Sequence, residues 1–205
     1  MTEAKFDGTS GVPFVGLTGG MGAGKSTALA ELQRLGAAVL SSDAVVHELY
    51  ATEQLRDAVV GRWGEEMAPG GVVDRSAVAS RVFADPDDRA WLEGVLWPMV
   101  SERVGAWLTE VRARSPAPRA AVVEVPLLFE AGLEGIYDAT IAVVAEEDVR
   151  RERASSRGHA LADARAQRQL PQEEKARRAT FTVRNGGTEA ELAAQLSGVL
   201  DTLSG

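Results

Sequence analysis

The sequence predicts an α/β fold: a parallel sheet flanked by helices. Three observations carry the prediction. A strand, a glycine-rich turn, a helix and a second strand follow one another within 12–43; short apolar runs return at 121–125 and 140–144; and the intervening 44–112 repeats its apolar residues at helical spacing. A strand–helix–strand unit builds parallel sheets, and strands buried on both faces read as continuous short apolar runs.

Taken in order, Val-Pro-Phe-Val-Gly-Leu at 12–17 reads as a buried strand, and 25–35 as a helix with Leu29, Leu32 and Leu35 on its apolar face. Gly36 is placed to close that helix in a left-handed cap. Ala37-Ala38-Val39-Leu40 forms the next strand and runs into Ser41-Ser42-Asp43. Segment 44–112 reads as a helical insertion. Val45, Val46, Leu49, Leu55, Val59 and Trp63 lie on apolar faces, with a turn at Pro69-Gly70-Gly71. Helices at 75–83 and 91–111 are expected to be interrupted at Asp85-Pro86 and Trp97-Pro98. Trp63, Trp91 and Trp107 are expected in the core. A last strand at 181–183 and a helix at 189–203 complete the chain.

Composition bounds the function. The 205 residues are 45% apolar and 25% charged with a net charge of −8, enough for one sizeable core with inserted subdomains. Cysteine is absent, which excludes a disulfide scaffold, a thiol nucleophile and thiolate-bound metal. The first eleven residues carry Glu3, Lys5 and Asp7 and lack the apolar centre of a secretory signal. No apolar run approaches the ~18 residues of a membrane span. A soluble, cytoplasmic protein without a membrane partner is expected, and its acidity argues against bulk nucleic-acid binding. Residues 150–178 break the pattern with nine Lys or Arg against four acids. Such a segment either covers an anion or is a solvated helix face.

The most specific local signal is Gly19-Gly20-Met21-Gly22-Ala23-Gly24-Lys25-Ser26, which fits G-x-x-x-x-G-K-[ST] and precedes Thr27. Its glycines let successive backbone N–H groups converge on a phosphate, and the helix that follows adds the positive end of its dipole. Lys25 is suited to the β- and γ-phosphates of a nucleoside triphosphate and the Ser26 hydroxyl to Mg²⁺. With a strand before and a helix after it, the loop defines a P-loop nucleotide site. Asp43, at the carboxyl end of the second strand, has two compatible readings. It activates or aligns a hydroxyl acceptor, or it caps a helix starting at Ala44. Glu124, inside a strand, either supports the metal or points away from it. His47 and His159 stand alone without metal-ligand spacing.

From Val15 to about Leu200 the chain resembles the dephospho-CoA kinase family. The resemblance rests on 15–27, Asp43, Asp74-Arg75, Val82-Phe83-Ala84-Asp85-Pro86, Leu96-Trp97-Pro98 and Val125-Pro126-Leu127-Leu128-Phe129-Glu130. It continues through Arg153, Arg157, Gln169, Lys175 and Asn185-Gly186-Gly187. It implies a P-loop nucleoside triphosphate hydrolase-type core at 12–43, 113–146 and 179–205, a helical substrate domain at 44–112 and a helical lid at 147–178. It further implies ATP and dephospho-CoA as substrates, Mg²⁺ as cofactor, and phosphorylation of the ribose 3′-hydroxyl.

Catalysis would fall to Asp43, Lys25, Arg153 and Arg157, and ATP binding to Gly20, Gly22, Ala23, Gly24, Lys25, Ser26, Thr27 and Asn185. Asp43 and Arg75 would meet the acceptor, and Ser26 the metal. The chain departs from the family at Ser41, His47, Trp97, Thr180 and Arg184, where Asp, Arg, His, Asp and Asp are usual. Trp97 is expected in the core, with the acceptor pocket as its alternative. A monomer or weak homo-oligomer is expected. The competing functions are a kinase for another small acceptor and a nucleotide-dependent switch; Asp43 favours a kinase, since a switch needs no group for an acceptor hydroxyl.

Overall fold

In the computed structural model, residues 11–155 and 168–204 are described. Short apolar segments form five strands: β1 (Phe14–Gly19), β2 (Ala38–Ser41), β3 (Ala121–Glu124), β4 (Ala139–Val144) and β5 (Phe181–Arg184). They make one parallel sheet in the order β2-β3-β1-β4-β5. The α/β expectation is met. β1, β3 and β4 are buried along their whole length, which is why their sequences are apolar without alternation. β1 sits at the centre, so the loop that leaves it opens at the carboxyl edge of the sheet.

Helix α1 (Lys25–Arg34) closes as a Schellman cap, with Gly36 N donating to Gln33 O (3.1 Å) and Ala37 N to Leu32 O (3.0 Å). One core unites Val15, Leu17, Ile141 and Val143 of the sheet with Leu32 of α1 and Leu192, Leu196 and Leu200 of the C-terminal helix.

The chain divides into two compact units. One comprises the chain up to Ser41 and from Leu108 onward and carries the sheet; the other is Ser42–Trp107, in which every regular element is helical. The second unit holds α2 (Ser42–Leu49), α3 (Glu53–Trp63), α4 (Arg75–Ala84) and most of α5 (Pro86–Arg112). Thr52 caps α3 by accepting from Leu55 N, and Asp74 caps α4 by accepting from Ser76 N and Ala77 N. Asp88 is buried between three donors: Trp63 Nε1 at 3.0 Å, Arg81 Nε at 2.8 Å and Arg62 Nη2 at 3.2 Å. Led by the Trp63 bond, these contacts hold its carboxyl below the usual range against the opposing effect of burial.

Three sequence expectations fail here, wholly or in part. The break at Asp85 is present, but α5 runs unbroken through Pro98 for 27 residues. Proline deprives the Gly94 carbonyl of its partner within the helix, yet Gly94 and Pro98 are both exposed, so that carbonyl is not forced into a dry interior without a partner. Trp97 is 53% exposed rather than in the core. Leu92, Leu96 and Met99 form the buried stripe of α5, and Trp97 falls one residue past Leu96, off that stripe. Trp63 is buried with Trp91 edge-on to it at 4.7 Å, whereas Trp91 and Trp107 are only half-buried.

After β4, α6 (Glu147–Ser155) leads out of the core. Then α7 (Gln172–Arg178) packs on β4 and β1, and α8 (Glu189–Ser204) ends the chain. Among the described residues no helix is long and apolar enough to cross a membrane.

Candidate active site

The loop between β1 and α1 is shaped by its glycines and by what surrounds them. Gly24, the residue before α1, has φ 86°, and a side chain there would collide with the Asn185 carboxamide, which donates from Nδ2 to Ala23 O at 3.0 Å. Gly22 has φ 74°, and a Cβ would run into the carbonyl oxygen of Arg150. The Lys25 ammonium folds back onto the loop, donating to Gly19 O (3.1 Å) and Gly20 O (3.3 Å). Ser26 and Thr27 are exposed on the first turn of α1.

Beside the loop lies a cleft of about 260 Å³ lined by Gly22, Gly24, Thr27, Arg153, Asn185 and Gly187, among others. Arg153 Nη1 donates to Asn185 O at 3.1 Å. Five of the residues expected from the sequence to meet ATP or catalyse its reaction therefore line one cleft: Gly22, Gly24, Thr27, Arg153 and Asn185. Gly20, Ala23, Lys25 and Ser26 belong to the same loop and helix start. Arg157 lies outside the described residues.

Asp43 and Arg75 belong to the Ser42–Trp107 unit. Helix α2 begins at Ser42, directly after β2, so the exposed Asp43 stands in its first turn and does not cap a helix starting at Ala44. A carboxylate in that turn is favoured by the helix dipole. Arg75 donates to His47 Nδ1, and its guanidinium lies 5.4 Å from the Tyr50 ring centroid. Histidine at 47 thus gives Arg75 a ring nitrogen to donate to, where an arginine would present only further donors.

Glu124 is buried at the end of β3, in register with Leu17 of β1 and Ser41 of β2. Two further departures are accommodated by backbone contacts. Thr180 and Thr140 exchange amide-to-hydroxyl bonds of 3.0 and 3.1 Å, and the Arg184 backbone is held on both sides by the Gln195 carboxamide at 2.9 Å.

Four residues around the loop carry contacts that local sequence signals did not disclose. Arg150 Nε donates to Met21 O (3.0 Å), and Gln169 Oε1 accepts from Met21 N (3.0 Å). Lys175 is wholly buried, so for this residue the solvated-face reading of 150–178 is wrong. Its ammonium reaches Pro126 O at 2.7 Å, Glu130 Oε1 at 2.8 Å and Thr18 Oγ1 at 3.4 Å. Burial pushes the Lys175 pKa down, and the bond to Glu130 opposes that. The sequence offered only the recurrence of Glu130, Gln169 and Lys175 in family order, and for Arg150 only a place in the basic segment.

A parallel sheet of order 2-3-1-4-5 with a phosphate loop leaving its central strand is the architecture of a P-loop kinase. Residues 13–191 match the family described as dephospho-CoA kinase. The chain is 40% identical over 196 residues to the dephospho-CoA kinase of Anaeromyxobacter dehalogenans, covering 93% of this chain and 92% of that one. It is 39% identical to that of Deinococcus radiodurans, covering 92% and 91%. Among solved structures, TT1252 from Thermus thermophilus superposes with a TM-score of 0.81 at 34% identity, over 96% of this chain and all of that one. A dephospho-CoA kinase from Campylobacter jejuni shares the fold with a TM-score of 0.66 at 21% identity, over 93% of this chain and 96% of that one. The chain belongs to the dephospho-CoA kinase family.

Proposed function

We propose that the chain transfers the γ-phosphoryl group of ATP to the ribose 3′-hydroxyl of dephospho-CoA, giving coenzyme A and ADP. The observation that carries this reading is the family match across 13–191, which includes the complete phosphate loop. In the reaction the 3′-oxygen forms a bond to the γ-phosphorus as the bond to the bridging β–γ oxygen breaks, and the hydroxyl proton leaves.

Loop amides and Lys25 hold the β- and γ-phosphates, with Gly20, Gly22, Ala23, Gly24, Ser26 and Thr27 around them. Asn185 and Gly187, which line the cleft, suit the nucleoside. Arg153, already on that cleft, sets a cation beside the transferring group, where charge spreads over the equatorial oxygens. Arg157 is assigned the same task, and 147–178 the role of a lid that excludes water as a competing acceptor. Asp43 accepts or aligns the 3′-hydroxyl proton, and Arg75 holds an anionic group of the acceptor. The helical segment 44–112 is assigned to dephospho-CoA and the sheet to ATP. The protein acts as a monomer or weak homo-oligomer in the cytoplasm.

The donor set fits Mg²⁺. Among the described residues no three His, Asp or Glu side chains converge into a metal cage, and the start of α1 offers exposed hydroxyls, Ser26 at the motif position for the metal with Thr27 beside it. That suits an ion held chiefly by substrate phosphates and water. When bound, Mg²⁺ supplies charge neutralisation at the phosphates.

The test is ADP release from Mg-ATP with dephospho-CoA, adenosine, AMP or shikimate offered separately. Turnover with dephospho-CoA alone, abolished in Lys25→Ala and strongly reduced in Asp43→Asn, supports the proposal. Nucleotide binding without acceptor-dependent turnover would sink it and favour a changed acceptor or a switch.

A further inference from the structure

Met21, at the tip of the phosphate loop, is gripped on both of its backbone polar groups by side chains from the two described ends of the 150–169 segment. Gln169 Oε1 accepts from its N–H at 3.0 Å, and Arg150 Nε donates to its C=O at 3.0 Å. Neither contact is local, since 148 and 129 residues separate the partners. Each grip fixes a peptide plane. In a trans peptide the C=O and N–H point in opposite directions, so holding Met21 O sets the direction of the Gly22 N–H, and holding Met21 N sets that of Gly20 O. Gly20 O in turn accepts from Ala23 N (3.2 Å) and from Lys25 Nζ (3.3 Å), and Gly22 lines the cleft.

Both gripping side chains are themselves held. Arg150 Nη1 pairs with Glu147 at 2.9 Å, and the guanidinium lies against Gly20, 2.9 Å from where a Cβ would stand. The residue after Gln169 is tied to the core: Leu170 N donates to Glu130 Oε1 at 2.7 Å, and that same oxygen pairs with buried Lys175 at 2.8 Å. A continuous path therefore runs from Thr18 and Pro126 through Lys175, Glu130 and Leu170–Gln169 to Met21.

We propose that Gln169 and Arg150 are positioning residues for the triphosphate, holding the two peptides that flank Met21 so that the loop is set for phosphates before nucleotide arrives. A loop ordered in advance spares the nucleotide the cost of ordering it. The effect falls on nucleotide affinity and leaves the acceptor side untouched. The inference rests on the phosphotransfer reading only for its kinetic readout; nucleotide affinity is measured without acceptor.

The experiment compares wild type with Gln169→Ala, Gln169→Glu and Arg150→Met. Affinity for a fluorescent ATP analogue with Mg²⁺ is titrated, KM for ATP and for dephospho-CoA and kcat are measured, and amide hydrogen exchange at Met21 is followed by NMR. Loss of one neutral hydrogen bond predicts a roughly three- to tenfold weaker nucleotide Kd and KM for ATP in Gln169→Ala. Its Met21 exchange should quicken, while kcat and KM for dephospho-CoA stay within about twofold, inside the effect of a single weak bond. Gln169→Glu, which keeps an acceptor oxygen, should restore Met21 protection. Arg150→Met, an independent probe should Gln169→Ala fold poorly, should weaken nucleotide in the same selective way. Unchanged Met21 exchange, unchanged nucleotide affinity, or equal losses for both substrates would overturn the proposal. Failure of the phosphotransfer reading shows separately, as wild-type protein that binds nucleotide and transfers nothing to dephospho-CoA.

Discussion

Replacing Lys175 with Met tests whether the buried ammonium beneath the phosphate loop is held as an ion pair. Lys175 is fully buried, and its three N–H donors match three acceptors: Pro126 O, Glu130 Oε1 and Thr18 Oγ1. Methionine fills a similar volume and donates nothing. Pro126 O would retain the Thr18 hydroxyl at 3.3 Å, and Glu130 Oε1 would retain Leu170 N. The Glu130 carboxylate would lose its counter-charge, and among the described residues its Oε2 already has no hydrogen-bond partner. Stranding one partner of a buried pair costs about 3–5 kcal/mol. At roughly 2–4 °C per kcal/mol for a chain of this size, the melting temperature should fall by roughly 6–20 °C.

Calorimetry is the assay. All four tryptophans lie in Ser42–Trp107, so their fluorescence follows the other unit. The variant Lys175→Met/Glu130→Gln removes the stranded charge and should be more stable than Lys175→Met alone. A single variant melting within about 2 °C of wild type, or a double variant no better than the single, would refute the ion-pair reasoning.

Other substitutions probe the loop and the helical unit. Gly22→Ala forces a Cβ into the Arg150 carbonyl at a φ of 74°; the left-handed backbone alone costs about 1–2 kcal/mol, and titration should show weakened nucleotide binding. Asp88, whose carboxyl titrates below the usual range, contributes stability that is present above its unfolded pKa near 3.8 and lost as pH falls through the folded value. The stability gap between wild type and Asp88→Asn, followed by Trp63 fluorescence in urea, should therefore be wide at pH 7 and narrow on acidification below pH 4; a gap independent of pH would count against it. Trp63→Ala should cost about 3–5 kcal/mol because the ring is buried, whereas Trp97→Ala should stay within about 0.5 kcal/mol, both read by denaturant unfolding.

The sheet was legible because its signals are local. An apolar run, a glycine-rich turn and an amphipathic helix are contiguous at 14–34, and each limits the others to a strand–loop–helix unit. Gly36 as the helix terminator was legible for the same reason: the cap is completed by residues 32–37. Pro98 misled because the rule for proline concerns a lost backbone bond, and whether water makes good that loss depends on exposure, which tertiary packing decides. Trp97 misled because size and apolarity favour burial, while the phase of the Leu92–Leu96–Met99 stripe leaves it outside. Lys175 offered no local cue at all. It is a residue type found mostly at surfaces, and its acceptors lie 45 or more residues away in sequence.

A buried Lys–Glu pair is a poor device for stability alone, since well-packed apolar side chains of similar volume often serve as well or better. Its distinctive property is direction. Leucine at 130 would pack against α7 in several rotamers, but a carboxylate oxygen 2.8 Å from Lys175 and 2.7 Å from Leu170 N fixes where the chain after Gln169 must lie. Gln169 needs that precision, because a neutral hydrogen bond to Met21 N weakens steeply with misalignment. Stability and placement then separate in the Lys175→Met/Glu130→Gln protein. Its melting temperature recovers with removal of the stranded charge, yet its nucleotide affinity stays low, because glutamine at 130 no longer has a fixed cation to orient it.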